Sequence, residues 1–100
     1  MRIPVELNGM NLVTVGACVY TASTLGAVTV MIHNFSDGVD MLSTPLTIDQ
    51  NEKDSKDAAT PPVIDTDHDD VALGDNIRVD IDGIGIGSKG LEVNLGFSNP

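Results

Sequence analysis

Residues 74–97, GDNIRVDIDGIGIGSKGLEVNLGF, constrain the fold more than any other stretch of this chain. Ile77, Val79 and Ile81 alternate with Arg78, Asp80 and Asp82. After a glycine-rich break, Leu91, Val93, Leu95 and Phe97 alternate with Glu92, Asn94, Gly96 and Ser98. Successive strand residues point to opposite faces, so each run has one face to bury and one to wet. The connection, residues 83–90, is too short for a helical crossover, and the two runs are expected to pair as an antiparallel hairpin. A lone hairpin is marginal in water, so the rest of the chain must supply a second apolar layer.

The remaining residues read as more strands. Ile3, Val5 and Leu7 share a face of a first short run, with Pro4 suited to an edge. Asn8-Gly9 signals a tight hairpin turn into a second run, residues 10–21. A third run, 27–33, is apolar on both faces and should lie centrally. Beyond the Ser36-Asp37-Gly38 turn, residues 39–43 and 46–49 are two short strands separated at Thr44-Pro45. Residues 50–57 are a charged loop with room for one helical turn. Residues 58–60 start another short strand that Pro61-Pro62 ends, Val63-Ile64 is a brief apolar anchor, and residues 65–70 are an acidic loop. Seven or eight short strands with turn signals between them make an all-β antiparallel sandwich of jelly-roll character, with an immunoglobulin-like order as the alternative.

One hundred residues fit a single domain, 1–100. A net charge of −10, with Arg2, Lys53, Lys56, Arg78 and Lys89 the only cations, argues against nucleic acid and anionic membranes as partners. Residues 10–32 are apolar enough to raise a membrane question, but their threonines, glycines and internal alternation fit strands better than a spanning helix. Val15-Gly16-Ala17-Cys18 resembles a lipoprotein cleavage box only loosely, because Pro4, Glu6 and a single basic residue make a poor leader before it. Cys18 is the sole cysteine, so it has no intramolecular disulfide partner and is expected to be a small strand residue.

Several phrases occur together and in order: IPVELNGMNLVTV at 3–15, DMLSTPLTID at 40–49, AATPPVIDT at 58–66, DDVALGDNIRVDIDGIG at 69–85 and KGLEVNLGF at 89–97. The set resembles a β-rich module of tailed-bacteriophage virion structural proteins, found as small decoration or accessory proteins and within tail-fibre chains. The resemblance covers nearly the whole chain. It implies a non-enzymatic virion subunit on the particle surface, made in the host cytoplasm without a signal peptide. Its partners would be copies of itself, trimers being common in such appendages, and other virion proteins such as the major capsid protein. Met1 directly before the first run favours a free-standing subunit. Met31, Met41 and Leu42 are the apolar side chains expected at interfaces.

The segments that suggest chemistry each have a plainer reading. Asp65, Asp67 and Asp69 place oxygen ligands at alternate positions, as at the start of a calcium loop, with Asp80 or Asp82 as recruits. An EF-hand needs Gly at the sixth place and Glu at the twelfth, where this chain has Asp70 and Asn76, so a solvated acidic loop is the preferred reading and no cofactor is expected. Gly85-Ile86-Gly87-Ser88-Lys89-Gly90 has the letters of a dinucleotide fingerprint but leads into a strand, without the helix N-terminus that holds a pyrophosphate. His33 and His68 lie in different segments, neither with a convincing nucleophile, and no catalytic residue is assigned. Asn34-Phe35-Ser36 is a formal glycosylation sequon.

Two other functions fit the same scaffold: a carbohydrate-binding module, and a subunit of a cellular extracellular filament. Sugar faces stack on exposed rings, and with Tyr20, Phe35 and Phe97 the only aromatics that platform would be thin.

Overall fold

The computed structural model describes residues 1–99. Eight strands account for the regular structure: β1 Asn11–Cys18, β2 Val28–Asn34, β3 Val39–Asp40, β4 Leu42–Thr44, β5 Leu46–Ile48, β6 Val63–Ile64, β7 Ile77–Gly83 and β8 Glu92–Ser98. Two single 3-10 turns, Val5–Leu7 and Ser55–Asp57, complete it. The fold is an all-β antiparallel sandwich, 40 Å long and 21 Å across.

The strands that pair are mostly distant in sequence. β1 pairs with β8, β2 with β7, and β4 with β6, all antiparallel. β2 is central, as its two apolar faces require. Val30 has Leu46 of β5 on one side and Ile81 of β7 on the other, and His33 is likewise flanked by Asp40 of β3 and Arg78 of β7.

The C-terminal hairpin does not form. β7 goes to β2 and β8 goes to β1, and their connection bonds elsewhere. The Thr24 amide donates to the Ile86 carbonyl, the Ile86 amide to Leu25, and the Lys89 amide to Thr21. Alternation sets which face of a strand is buried but not which strand lies beside it. Here each C-terminal run pairs with the N-terminal run of matching rank, which also needs an edge filled.

Three local expectations are corrected as well. Residues 2–7 are not a strand: Leu7 and Asn8 close 3-10 bonds to Pro4 and Val5. Asn8 has φ −59°, so Asn8-Gly9 is not a hairpin turn, and the Gly9 amide instead bonds Val71. Residues 58–60 form no strand, and the pairing partner of β4 is Val63–Ile64.

The core comprises Ile3, Leu12, Val28, Val30, Ile32, Leu46, Ile48, Val71 and Ile77, closed by Ala17 and Val19. Met41 and Leu42 belong to this core, so neither is free for an interface, while Met31 is half-buried and packs against it. Asn34 is buried among these apolar groups because its side chain ties the turn at Asp37 to the loop at Asp75. Its amide nitrogen donates to the Asp37 and Asp75 carboxylates at 3.2 and 3.1 Å, and its oxygen accepts from the Asp37 backbone amide.

β7 is the strand that the second layer fails to cover. Ile77, Val79 and Ile81 stand opposite Asn34, Ile32 and Val30, on the buried face of the sheet. Yet Val79 is 39% exposed and Ile81 41%, whereas their neighbours Ile32 and Val30 are fully buried. Ile32→Ala is therefore expected to cost about 2–5 kcal/mol in urea unfolding, and Ile81→Ala about half as much or less. Equal losses would mean that β7 is covered in solution.

Candidate functional site

One end of the sandwich is built from two loops, residues 19–26 and 83–91. Ser23 locks them together. It is buried, its hydroxyl donates to the Gly26 carbonyl at 2.7 Å, and its oxygen accepts from the Ile86 amide at 3.1 Å. Gly85, at φ +65°, passes so close that a Cβ there would lie 2.2 Å from the Ser23 oxygen. No L side chain fits in that space, so glycine is the residue that lets the loops meet. The Ser88 hydroxyl donates to the Ile84 carbonyl and stiffens the second loop further.

This locked pair presents apolar side chains to solvent. Tyr20, Leu25, Ile84, Ile86 and Leu91 are all exposed there. In a chain with fifteen carboxylates these two loops contain none, and Lys89 is their only charge. Scattered surface hydrophobes are ordinary, but a cluster on an ordered tip marks a contact surface. The signal was present in the sequence as Ile84 and Ile86 set among glycines, but it read as a turn because nothing local showed what the turn packs on.

The acidic loop does not gather its carboxylates around a common point. Asp65 is already engaged: one carboxylate oxygen accepts from the Asp67 amide at 3.0 Å, and the other accepts from His68 Nδ1 at 2.9 Å. The Asp69 carbonyl accepts from the Leu12 amide, which anchors the loop to β1. Among the described residues no three His, Cys, Asp or Glu side chains gather where an ion could sit, so Asp65, Asp67 and Asp69 are not brought together as ligands. Asp80 and Asp82 lie on β7, and Asp80 is held by Arg78.

The other candidates separate in the same way. His33 Nδ1 bonds Asp40 at 2.7 Å across the β2–β3 pair, away from His68. Cys18 ends β1, half-buried, opposite Glu92. Residues 85–90 lead into β8 and not into a helix. Asn34 of the sequon is only 1% exposed, with both ends of its amide bonded. Tyr20 stands at the locked tip, while Phe35 lies beyond the far end of β7 under the Arg78 guanidinium, so these rings form no common platform. Shallow depressions at Val13–Ile64, at Val19–Leu91 and beside Tyr20 are lined by no His, Cys or carboxylate. No helix among the described residues is long and apolar enough to cross a membrane.

The sandwich also has open edges. β7 pairs only with β2 and β8 only with β1, leaving the far side of each without a strand partner. No family model, no curated protein and no solved structure matches this chain.

The hydrogen bond between Asp65 and His68 shifts both groups. It holds the Asp65 carboxyl below its ordinary 3.8, helped by the Asp67 amide, and raises the His68 imidazole above its ordinary 6.5. The contribution of the pair is complete from pH 3.8 to 6.5. It fades as pH rises through the raised His68 value, and again as pH falls through the depressed Asp65 value. In an NMR titration Asp65→Asn is expected to lower the His68 midpoint toward 6.5, with little change in stability because the pair is exposed. An unmoved midpoint would show that the bond is absent in solution. The thermal midpoint is also expected to be the same in millimolar calcium as after chelation, and a calcium-dependent rise would restore the metal reading.

Proposed function

We propose that this chain is a non-enzymatic structural subunit of a phage-type virion, a capsid decoration or accessory protein or a tail-fibre-type module, acting through protein–protein assembly. The observation that carries the reading is the locked tip. An apolar cluster held out on cross-bonded loops gains free energy only when something covers it, at about 25 cal/mol for each Å² removed from water. A flexible loop would lose ordering entropy on docking, and this one is already ordered by Ser23 and the backbone bonds between Leu25 and Ile86. The ordered set of phage-like phrases supports the same reading and supplies the partner class, the shell or fibre of a particle. An apolar recess with a carboxylate in reach of Lys89 suits the tip best.

Co-sedimentation of the purified chain with capsids and fibres lacking it tests the reading. Binding is expected, and Ile86→Asp, which places a charge on the exposed tip, should reduce it at least about tenfold, equivalent to about 1.4 kcal/mol, with an unchanged circular-dichroism spectrum. A chain that sediments with neither particle would sink the proposal.

A further inference from the structure

The free edge of β7 has a register built into it. The Phe35 amide bonds the Asn76 carbonyl at 2.8 Å, in step with a ladder that sets His33 opposite Arg78 and Met31 opposite Asp80. Antiparallel ladders alternate, so Asn76, Arg78 and Asp80 turn their backbone groups toward β2. Ile77, Val79 and Ile81 turn theirs to the other side. Met1 confirms this direction: its ammonium donates to the Ile77 carbonyl and its carbonyl accepts from the Ile77 amide, both at 2.6 Å. Met1 thus fills the outward side of Ile77, and among the described residues nothing bonds the outward backbone groups of Val79 and Ile81.

We propose that β7 pairs with β7 of a second copy of this chain, antiparallel, about a two-fold axis through Asp80. This inference rests on the assembly reading above and names its self-contact. Only this register uses the two open residues and nothing else. Val79 of one copy exchanges both N–H···O bonds with Ile81 of the second, and the reverse holds across the axis. A seam centred on Val79 would need Ile77, which Met1 occupies. One centred on Ile81 would need Gly83, beyond the irregularity that leaves Asp82 without an opposite residue on β2.

Side chains fit the same register. On the inner face the half-exposed Val79 and Ile81 of each copy would cover one another, removing the apolar surface that the second layer leaves open. On the outer face the Arg78 guanidinium grips its own Asp80 through Nε at 2.6 Å and Nη2 at 3.1 Å. Two copies therefore bring together Arg–Asp and Asp–Arg, each carboxylate arriving already paired. By count, Arg78 also lies opposite Asp82 of the second copy and diagonal to its Asp80, a favourable cross-strand arrangement. Arg78 is the only cation in residues 57–88 of this acidic chain, and it sits on this edge. The edge of β8 has no counterpart, since its wet face carries Glu92, Asn94, Gly96 and Ser98 and no cation to meet a second Glu92.

Light scattering on the intact protein is expected to give a dimer. Val79→Pro removes an N–H that the monomer does not use and places a ring in the seam, a substitution that edge strands tolerate. It should give a monomer with an unchanged strand spectrum. In a Cys18→Ser background, Asp80→Cys puts two thiols on the axis at a non-hydrogen-bonded pair, where Cα atoms are about 4.5 Å apart. Mild oxidation should then cross-link most of the protein, while Glu92→Cys should not. If Val79→Pro does not fold, the cross-link decides. A wild-type monomer or trimer, or a dimer that yields no Asp80→Cys cross-link, overturns the seam. A monomer that still binds particles removes the seam and leaves the subunit reading standing. A cross-linked dimer that binds none supports the seam and counts against that reading.

Discussion

The structure depends on β2 being hydrogen-bonded along both edges. Val28, Val30 and Ile32 are buried on one side, and every other strand is placed with respect to the sheet that β2 centres. A strand with apolar groups on both faces cannot lie at an edge without exposing them, so it draws partners to both sides. β5 and β3 are close in sequence and take one side. The other side is left for a distant strand, and β7 fills it. β8 pairs with β1 in another sheet, so the connection between β7 and β8 passes from one sheet to the other.

That allocation sets both features on which function rests. The connection between β7 and β8 spans two sheets and lies over residues 19–26, and the tip is what results when those two loops are bonded around Ser23. Each C-terminal strand has only one partner, so each leaves an open edge. Native sheets usually guard such edges with charge, bulges or a covering segment. β7 has all three, in Asp80 and Asp82, the irregularity at Asp82 and the N-terminal cap at Ile77, yet its inward side chains remain partly wet. Guarding of that kind limits pairing to one register without abolishing it.

Some of the site was legible beforehand and some was not. The acidic loop announced itself as oxygen-rich, but composition does not say that the Asp65 oxygens are spent on Asp67 and His68. Met41 and Leu42 were expected at interfaces as apolar side chains near open edges, and they are buried in the core where β4 pairs with β6. Ser23 carried no signal at all. Its importance comes from a contact with Ile86, sixty-three residues away.

Alternation of apolar and polar residues belongs to the covalent chain, since successive side chains must point to opposite faces of an extended backbone. For that reason the all-β class, the central place of β2 and the inward residues of β7 and β8 could be read without coordinates. Pairing is not local in this sense: any strand edge offers the same row of amides and carbonyls, and the choice among them is made by which arrangement closes one core. Only the tertiary structure could decide that the two C-terminal strands part company, that the residues between them form an ordered apolar tip, and that Val79 and Ile81 are left partly uncovered on the inner face.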